Sequence, residues 1–390
     1  MAKLSLSFAA ILGLLTAIGP LCSDFYLPAL PEIAAHLHTS TTLTQLSLTS
    51  ALVGLGLGQL FFGPLSDRVG RKLPLLISLL LFVAASVLCA TTQSIYALIG
   101  WRFVQGVAGA GGSVLARAIA RDRYQGTMLT QFFALLMTVN GIAPVVSPVL
   151  GGYVSSHFDW RMLFWMMAGT GLALLIASQL WICESLTERT AGGSLLKTGK
   201  TVVKNRRFTR NCLIQAFMLA GLFCYIGTSS FVLQNEYGLS AMQFSLLFAV
   251  NGIGLIISAL IFSRLARRHP PEALIQGGLV LAVTAAGLTL LFAWTHLSTL
   301  ALIALFFTVA LNSGISTLAG SEAMSAVNAQ TSGTASALSG MLMFLFGGRA
   351  ACRCGGRNDA ETEHCCAGKL QHRLADRLSY AGISKFILSA

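Results

Sequence analysis

The sequence predicts an all-α protein that crosses a membrane many times and divides into two related helical halves. Of its 390 residues, 55% are hydrophobic and 10% are charged, and the mean hydropathy is +0.73. Soluble domains carry about 25% charged residues, so this composition is typical of a polytopic membrane protein. The apolar runs lack the alternation of barrel strands, which favours helices, because an unsatisfied backbone cannot face lipid.

Eleven apolar runs are candidate membrane spans, and all but the short last one are long enough to cross about 30 Å of hydrocarbon as a helix. They lie at residues 5–26, 43–62, 73–92, 95–116, 128–153, 161–183, 211–233, 243–263, 273–294, 298–320 and 333–348. A polar, basic segment separates the sixth run from the seventh. We therefore predict an N-terminal bundle at 1–183, a connector at 184–210 and an incomplete C-terminal bundle at 211–348.

The distribution of Lys and Arg predicts the orientation of the chain. With the N-terminus in the cytoplasm, seventeen cations before residue 349 fall on the inner side, Arg161 alone falls on the outer side, and Arg102 is embedded. The positive-inside rule favours that arrangement. The net charge of +12 is therefore attributed to loops that face the cytoplasm, and no nucleic-acid partner is expected.

The turn between the second and third runs, in QLFFGPLSDRVGRKLPLL, is short and charged. Gly63 and Pro64 are expected to end the first of its two helices. Ser66 and Asp67 are expected to cap the second, because their side chains can accept hydrogen bonds from the freed amides of a helix start.

A weaker copy of this turn occurs in the second half of the chain. Residues 264–268 echo residues 68–72 at an offset of 196 residues, with Ser263 in place of Asp67. A parallel repeat of two six-helix bundles explains the echo. Chance is the alternative, since loops after even-numbered spans are basic in any case.

Two ionisable residues lie inside spans of the N-terminal half. Asp24 ends the first run in PLCSDFYLPALPEI, and Arg102 lies in WRFVQGVAGAGGSV of the fourth. Intramembrane ionisable groups are costly and are functional candidates by default. As a pair they would form a proton switch, with Asp24 protonated in one state and ionised in another. The alternatives are that Asp24 caps a turn outside the hydrocarbon and that Arg102 is a structural hydrogen-bond anchor.

The fourth and fifth runs are rich in glycine and proline. Residues 106–112 lack the Walker Lys-Ser/Thr, so close helix packing is favoured over a nucleotide loop. In the fifth run, two prolines four residues apart bend a helix and provide a hinge, and a kink with no directional role is the alternative. The candidate hinge residues are Gly141, Pro144, Pro148, Gly151 and Gly152.

The second half has no embedded Lys, Arg, Asp or Glu away from the span ends, and Glu236 and Glu322 are expected in solvated loops. A cavity lined by its remaining polar and apolar residues would suit uncharged or lipophilic ligands, and ordinary packing is the alternative. The candidate cavity residues from both halves are Tyr26, Gln105, Tyr225, Asn251, Asn312 and Met341.

Three of these segments resemble signatures of the major facilitator superfamily. Residues 63–72 match the loop signature G-x-L-[SA]-D-R-x-G-R-[KR] at Gly63, Leu65, Asp67, Arg68, Gly70, Arg71 and Lys72. The pattern Arg102-x-x-Gln105-Gly106 resembles the fourth-span motif, whose arginine is associated with proton coupling. Residues 141–152 resemble in part the antiporter motif G-x-x-x-G-P-x-x-G-G.

Together with SDFYLPALPEI, these motifs look like the twelve-span drug:proton antiporter branch, and residues 5–348 are most similar to the Bcr/CflA subfamily of bacterial multidrug efflux pumps. The resemblance implies export of small, mostly apolar drugs such as bicyclomycin, chloramphenicol and sulfonamides across the bacterial inner membrane. Export would proceed by alternating access of two bundles in exchange for protons, with the proton gradient as energy source and no cofactor.

The residues that would carry this activity follow from the same motifs. Asp24 would carry the proton, and Arg102 would tune the pKa of Asp24. A conformational latch on the inner face would comprise Gly63, Asp67, Arg68, Gly70, Arg71 and Lys72. We expect a monomer in the lipid bilayer and no enzyme activity, because no nucleophile-base pair stands out. A metabolite exporter of the same fold and an inactive remnant are the alternatives.

Residues 349–390 depart from the family pattern. This Cys-rich tail contains 7 basic and 4 acidic residues and no apolar run of span length, so a twelfth span is missing. We attribute the tail to out-of-frame or unrelated sequence, with a regulatory tail as the alternative. Its Cys and His spacing, in Cys352-x-Cys354 and His364-Cys365-Cys366, matches no common zinc pattern, so no metal is expected.

Overall fold

A computed structural model describes residues 6–124, 126–186, 202–295 and 298–327, together with positions 335, 338–340, 342, 343 and 346. In this part of the chain, all regular secondary structure is helical. Nine helical stretches among the described residues are long and apolar enough to cross a membrane. The predicted class, an all-α polytopic membrane protein, is confirmed.

Seven α-helices precede the connector. They are α1 (Leu6–Asp24), α2 (Leu30–His36), α3 (Thr41–Val69), α4 (Lys72–Thr91), α5 (Ile95–Arg123), α6 (Gly126–His157) and α7 (Arg161–Trp181). A 3-10 turn, Leu27–Ala29, joins α1 to α2. Each of the first six predicted runs therefore corresponds to one long helix, and α1 ends at Asp24 as the sequence indicates.

Four long helices follow the connector among the described residues. They are α8 (Arg206–Phe231), α9 (Ala241–Leu265), α10 (Pro271–Trp294) and α11 (Ser298–Ser325). A π-helical segment, Val232–Glu236, continues α8. These helices correspond to the seventh to tenth predicted runs. Most of the eleventh run, at 333–348, and the whole tail at 349–390 lie outside the described residues.

The charged turn differs from its sequence-based expectation. Helix α3 continues past Gly63 and Pro64, so these residues do not end it. Ser66 and Asp67 lie in the last turn of α3 and do not cap α4. Pro64 removes a single backbone donor and keeps a helical φ, and such a proline is tolerated in a membrane helix that packs on its neighbours.

Residue contacts divide the chain into two compact units. The first comprises residues 1–198 and 229–249, and the second comprises 199–228 and 250–390. The first unit therefore takes in the end of α8, the π-helical segment and the start of α9. The predicted bundle limits, 1–183 and 211–348, follow the order of the spans along the chain and stay a prediction.

The glycines of α5 determine how closely three helices approach it in the first unit. A Cβ atom on Gly106 would overlap the backbone oxygen of Ala51 in α3, and one on Gly111 would overlap the side chain of Ser78 in α4. A Cβ on Gly112 would lie 3.2 Å from the backbone oxygen of Leu15 in α1. The interpretation of residues 106–112 as a close-packing surface is confirmed.

In the second unit, aromatic rings fill the space that glycines leave. The ring of Phe262 in α9 lies against Gly314 of α11 and Gly278 of α10, and the ring of Phe306 in α11 lies against Gly254 of α9. A ring that packs against a glycine brings two helices into close dispersion contact. This attraction does not depend on the exclusion of water, which does not drive helix association in lipid.

Replacing Gly106 by alanine should lower the free energy of unfolding by about 1–3 kcal/mol, because the added methyl group meets backbone that cannot move aside. The matched control is Gly100→Ala on the same helix, where a Cβ meets no atom within 4 Å. The unfolding midpoints of the two purified variants in detergent should differ clearly. Equal midpoints would contradict the close-packing role of Gly106.

Candidate functional site

Arg102 is a fully buried cation on α5. Its Nη2 donates to the backbone oxygen of Cys22 at 2.7 Å, and its Nη1 donates to Oε1 of Gln105 at 2.6 Å. The centre of its guanidinium lies 4.2 Å from the ring centroid of Tyr26 and 5.8 Å from that of Phe164. All of these partners are neutral, so oxygen dipoles and aromatic faces stabilise the charge.

A second layer of hydrogen bonds positions the partners of Arg102. Nε2 of Gln105 donates to the hydroxyl of Ser86 at 2.7 Å, and the hydroxyls of Tyr26 and Ser47 are hydrogen-bonded at 2.6 Å. These contacts fix the amide of Gln105 and the ring of Tyr26 around the guanidinium. The structure therefore places two of the six candidate cavity residues against Arg102, and their contact with substrate stays a prediction.

Asp24 is the last residue of α1 and is 6% exposed. Its Oδ1 accepts a hydrogen bond from the hydroxyl of Ser23 at 2.8 Å. Burial within the protein disfavours the alternative in which Asp24 caps a solvent-facing turn. Within the described ranges no ion pair joins Asp24 to Arg102, although Arg102 contacts the main chain of Cys22, two residues before it.

The turn that follows Asp24 is held by the last residues of α8 and by the π-helical segment. The hydroxyl of Ser230 donates to the backbone oxygen of Leu27 at 2.7 Å. Nε2 of Gln234 donates to the backbone oxygen of Pro28 at 3.0 Å. The Leu27 oxygen also accepts from the backbone N–H of Leu30 inside the 3-10 turn, so the two side-chain bonds add to the turn's own bonding and fix the main chain just beyond Asp24.

Helix α6 carries all the predicted hinge residues in one continuous helix. They are Gly141, Pro144, Pro148, Gly151 and Gly152. A Cβ on Gly151 would overlap the backbone oxygen of Phe25, and one on Gly152 would overlap the hydroxyl of Ser245. The two glycines therefore let α6 approach the residue next to Asp24 on one side and α9 on the other. The hinge role stays a prediction.

The predicted latch centres on Arg71, which is 8% exposed. Its Nη1 donates to Oδ1 of Asp67 at 2.5 Å and to the hydroxyl of Ser66 at 2.7 Å. Its Nε donates to Oδ2 of Asp122, in α5, at 2.9 Å. Burial opposes the charged form, but the bonds to Asp122 and Asp67 outweigh it and raise the pKa of Arg71 above its ordinary value.

The other latch residues surround this ion-pair network in different ways. Gly70 has φ +110, in the left-handed region, and a Cβ there would lie 2.5 Å from a carboxylate oxygen of Glu184. Lys72 donates from Nζ to the backbone oxygen of Gln179 at 3.1 Å. Arg68 is exposed and forms no ion pair with the described residues, and Gly63 lies inside α3.

Glu184 supplies the cap of α4 that the sequence does not reveal. Its carboxylate accepts from the backbone N–H groups of Arg71 at 2.8 Å, Lys72 at 3.1 Å, Ser185 at 3.0 Å and Leu186 at 3.0 Å. Partial burial opposes the charged carboxylate, but these backbone hydrogen bonds outweigh it and hold the pKa of Glu184 below its ordinary value. An acidic side chain at a helix start also matches the helix dipole.

Sequence reasoning missed Glu184 and Asp122 because it counted only cations at the span ends. Asp122 is 51 residues from Arg71 along the chain, and Glu184 is 113 residues away. The available signal is the position of each acid directly at the predicted cytoplasmic end of a span, beside basic loops. An acid in that position is expected to pair with a cation or an N–H donor, because it lies among other ionised groups at the edge of the hydrocarbon.

Gln45 and Thr49 are a second pair that the sequence reading overlooked. They lie one helical turn apart on α3 and are 1% and 5% exposed. Both amide atoms of Gln45 and the hydroxyl of Thr49 are buried without a hydrogen-bond partner. Buried polar atoms of this kind are costly, so these two side chains have donors and acceptors available to a polar group or water.

The candidate cavity residues of the second unit bond to their neighbours. Nδ2 of Asn251 donates to the hydroxyl of Tyr225 at 2.6 Å, and Nδ2 of Asn312 donates to the backbone oxygen of Met218 at 2.5 Å. Met341 lies outside the described residues. These bonds fit the packing alternative, and the cavity role stays a prediction.

Two further sequence expectations concern acids and metals. Glu322 lies in α11, not in a solvated loop, and its side chain is 14% exposed and paired with Arg207. No group of three or more His, Cys, Asp or Glu that could hold a metal ion occurs among the residues that the structure describes. The Cys and His residues of the tail lie outside them.

Replacing Glu184 by glutamine should lower the unfolding midpoint at neutral pH, because the charge-assisted cap of α4 is lost. A carboxylate whose pKa is lowered on folding stabilises the protein above its unfolded pKa, and this contribution is lost as the pH falls through the folded pKa. The midpoint difference between wild type and Glu184→Gln should therefore shrink below about pH 4.5. A difference in unfolding midpoint that stays constant from pH 7 to pH 3.5 would refute the capping role of Glu184.

The fold and the site define a multi-pass helical membrane protein with a buried arginine network and a charged turn between α3 and α4. Residues 12–351 match the Major Facilitator Superfamily, so the chain belongs to this superfamily of membrane transporters. The match ends at residue 351, and nearly all of the predicted tail at 349–390 lies beyond it.

Known proteins similar to the chain agree with this membership. It is 37% identical to the uncharacterized MFS-type transporter YdgK of Bacillus subtilis, over 88% of this chain and 87% of that protein. It is 28% identical to a bicyclomycin resistance protein homolog of Haemophilus influenzae, over 88% of each chain. The crystal structure of the nucleoside transporter NupG shares the fold, with a TM-score of 0.76, 13% identity and coverage of 97% of this chain and 98% of that one.

Proposed function

We propose that this chain exports small lipophilic drugs across a bacterial inner membrane in exchange for protons. The bicyclomycin resistance homolog of Haemophilus influenzae supports the drug class, because it aligns over 88% of the chain. The observation that carries the proposal is the burial of Asp24 at the end of a membrane helix. An ionisable side chain in that position is costly and is best explained by a role in transport.

In the proposed mechanism Asp24 carries the proton. Its one described partner is the neutral hydroxyl of Ser23, so nothing at hand neutralises an ionised carboxylate in this state. The proton leaves when the charge of Arg102 approaches Asp24 in another state. Arg102 holds the main chain at Cys22, so a shift of α1 along α5 changes the separation of the two charges.

The remaining predicted residues have proposed roles in alternating access. The charged turn latches the inner face, and the proline-glycine segment of α6 acts as the hinge. The proton gradient supplies the energy, no cofactor takes part, and the protein acts as a monomer in the bilayer. The N-terminus is cytoplasmic, because the Lys and Arg of the loops follow the positive-inside rule.

Asp24→Asn should abolish drug-dependent proton release, because asparagine keeps the shape of the side chain but cannot carry a proton. The measurement uses proteoliposomes with a trapped pH dye and chloramphenicol or bicyclomycin as substrate. The matched control is Asp159→Asn, an exposed acid paired with Arg161, which should retain release. Coupling at the wild-type level in the Asp24→Asn protein would refute the carrier role.

A second candidate is an inactive remnant of such a transporter. The observation that favours it is the segment at 349–390, which has no apolar run of span length and lies almost wholly beyond the family match. A metabolite exporter of the same fold is distinguished by substrate-stimulated flux that needs no proton gradient.

Drug accumulation in cells that lack their own efflux pumps separates these functions. The chain as it stands is compared with a version whose residues 349–390 are replaced by a hydrophobic span. We expect both to lower accumulation in a way that an uncoupler abolishes. If only the repaired version does so, the remnant assignment is correct. If neither does, although both insert stably, drug export is refuted.

A further inference from the structure

A cavity of about 650 Å³ lies at the start of α8 in the second unit. It is lined by Val203, Arg206, Arg207, Thr209, Arg210 and Glu272. Three arginines line it with one carboxylate, Glu272, and Arg207 is also paired with Glu322 outside the lining, so these groups carry a net positive charge. Neither the proton pathway nor the latch proposed above uses any of these residues.

The arginines of this cavity keep most of their hydrogen-bond donors. Nη2 of Arg207 donates to Glu322 at 2.7 Å, and Nη2 of Arg210 donates to Glu272 at 2.8 Å. Each guanidinium has five N–H donors, and one is used in each of these pairs. Arg206 forms no ion pair or hydrogen bond with any residue that the structure describes.

The helix-end amides of α8 are already occupied. Oδ1 of Asn205 accepts from the backbone N–H groups of Arg207 at 3.0 Å and Phe208 at 3.3 Å. Nδ2 of the same residue donates to the backbone oxygen of Ala326 at 2.7 Å, which anchors this cap to the end of α11. A ligand in the cavity would therefore be held by the guanidinium groups. Its negative charge would also offset the cost of three cations at the positive end of a helix dipole.

The depth of the cavity along α8 indicates what can reach it. Arg210 is the last of the three arginines, and the apolar run of the helix begins at residue 211. The cavity therefore lies at the level of the lipid headgroups, on the side where the positive-inside rule places the cytoplasm. Guanidinium forks bind phosphate oxygens in pairs, which suits a tetrahedral anion at this level.

We propose that this cavity binds the phosphate group of a ligand with a net negative charge. The ligand is either the headgroup of an anionic phospholipid or a soluble phosphate. Arg206, Arg207 and Arg210 contact the phosphate oxygens. Basic pockets between membrane helices on the cytoplasmic side bind anionic headgroups in this way. Binding here fixes the start of α8 against the lipid surface and is independent of any transported drug.

The test measures the unfolding midpoint of the full-length protein in detergent during titration with three probes. They are phosphatidylglycerol, phosphatidylcholine, whose choline offsets its phosphate charge, and inorganic phosphate. Phosphatidylglycerol should raise the midpoint of the wild type, because a ligand that binds only the folded state stabilises it, and phosphatidylcholine should not. The double variant R206Q/R210Q should need about 25-fold more phosphatidylglycerol for the same rise, or about fivefold per arginine.

The matched control is R267Q/R268Q, which removes the same charge from another exposed basic turn of the second unit. It should respond like the wild type. Should R206Q/R210Q not be recovered folded, the single variant Arg206→Gln replaces it, with an expected weakening of about fivefold, because Arg206 has no described partner to lose.

Each outcome either identifies the source of the phosphate or refutes the phosphate site. A response to inorganic phosphate that R206Q/R210Q loses assigns a soluble phosphate as the ligand. A response to phosphatidylglycerol alone, lost in the same variant, assigns the lipid. An equal loss in R206Q/R210Q and R267Q/R268Q means general surface charge and overturns the site. No response of the wild type to either anion also overturns it.

Discussion

The close approach of α5 to its neighbours is the constraint on which the first unit depends. In lipid, helices gain nothing from excluding water between them, so association relies on packing and hydrogen bonds. Gly106 and Gly111 remove side chains where α3 and α4 pass. Gly112 does the same where α1 passes, and this close approach of α1 goes with the contact of Arg102 on α5 with the Cys22 carbonyl on α1. The stabilisation of a buried cation by neutral oxygens therefore follows from the glycine packing.

The sequence predicts the helical architecture well because the signals for it are local. A span must be apolar for about 20 residues, and the loops between spans carry the charge. The prediction for the turn at 63–72 was wrong because the contact that caps α4 is not local in the sequence. Ser66 and Asp67 have the chemistry of caps, but the α4 start is capped by Glu184, which is 112 residues from Lys72 along the chain. No local pattern shows such a contact.

The candidate site shows the same difference between features that are local in the sequence and contacts that are not. Asp24 and Arg102 can be found from the sequence because an ionisable residue within an apolar run is conspicuous. Their partners cannot, since Cys22 and Arg102 are 80 residues apart and Gln105 and Ser86 are 19 apart. Which neutral oxygen a guanidinium meets depends on helix rotation and separation. Those in turn depend on glycine contacts across several helices, so the sequence could suggest an Asp24–Arg102 pair that this structure does not form.

The long-range cap of α4 has a consequence for the biogenesis of the protein. Glu184 is the 112th residue that the ribosome adds after Lys72. At 5–20 residues per second, that interval is roughly 6–22 seconds. Until Glu184 is made, the first amides of α4 lack this cap, although α3 and α4 are complete long before. The turn between α3 and α4 is therefore completed last, when translation has passed α7, the final helix of the N-terminal half.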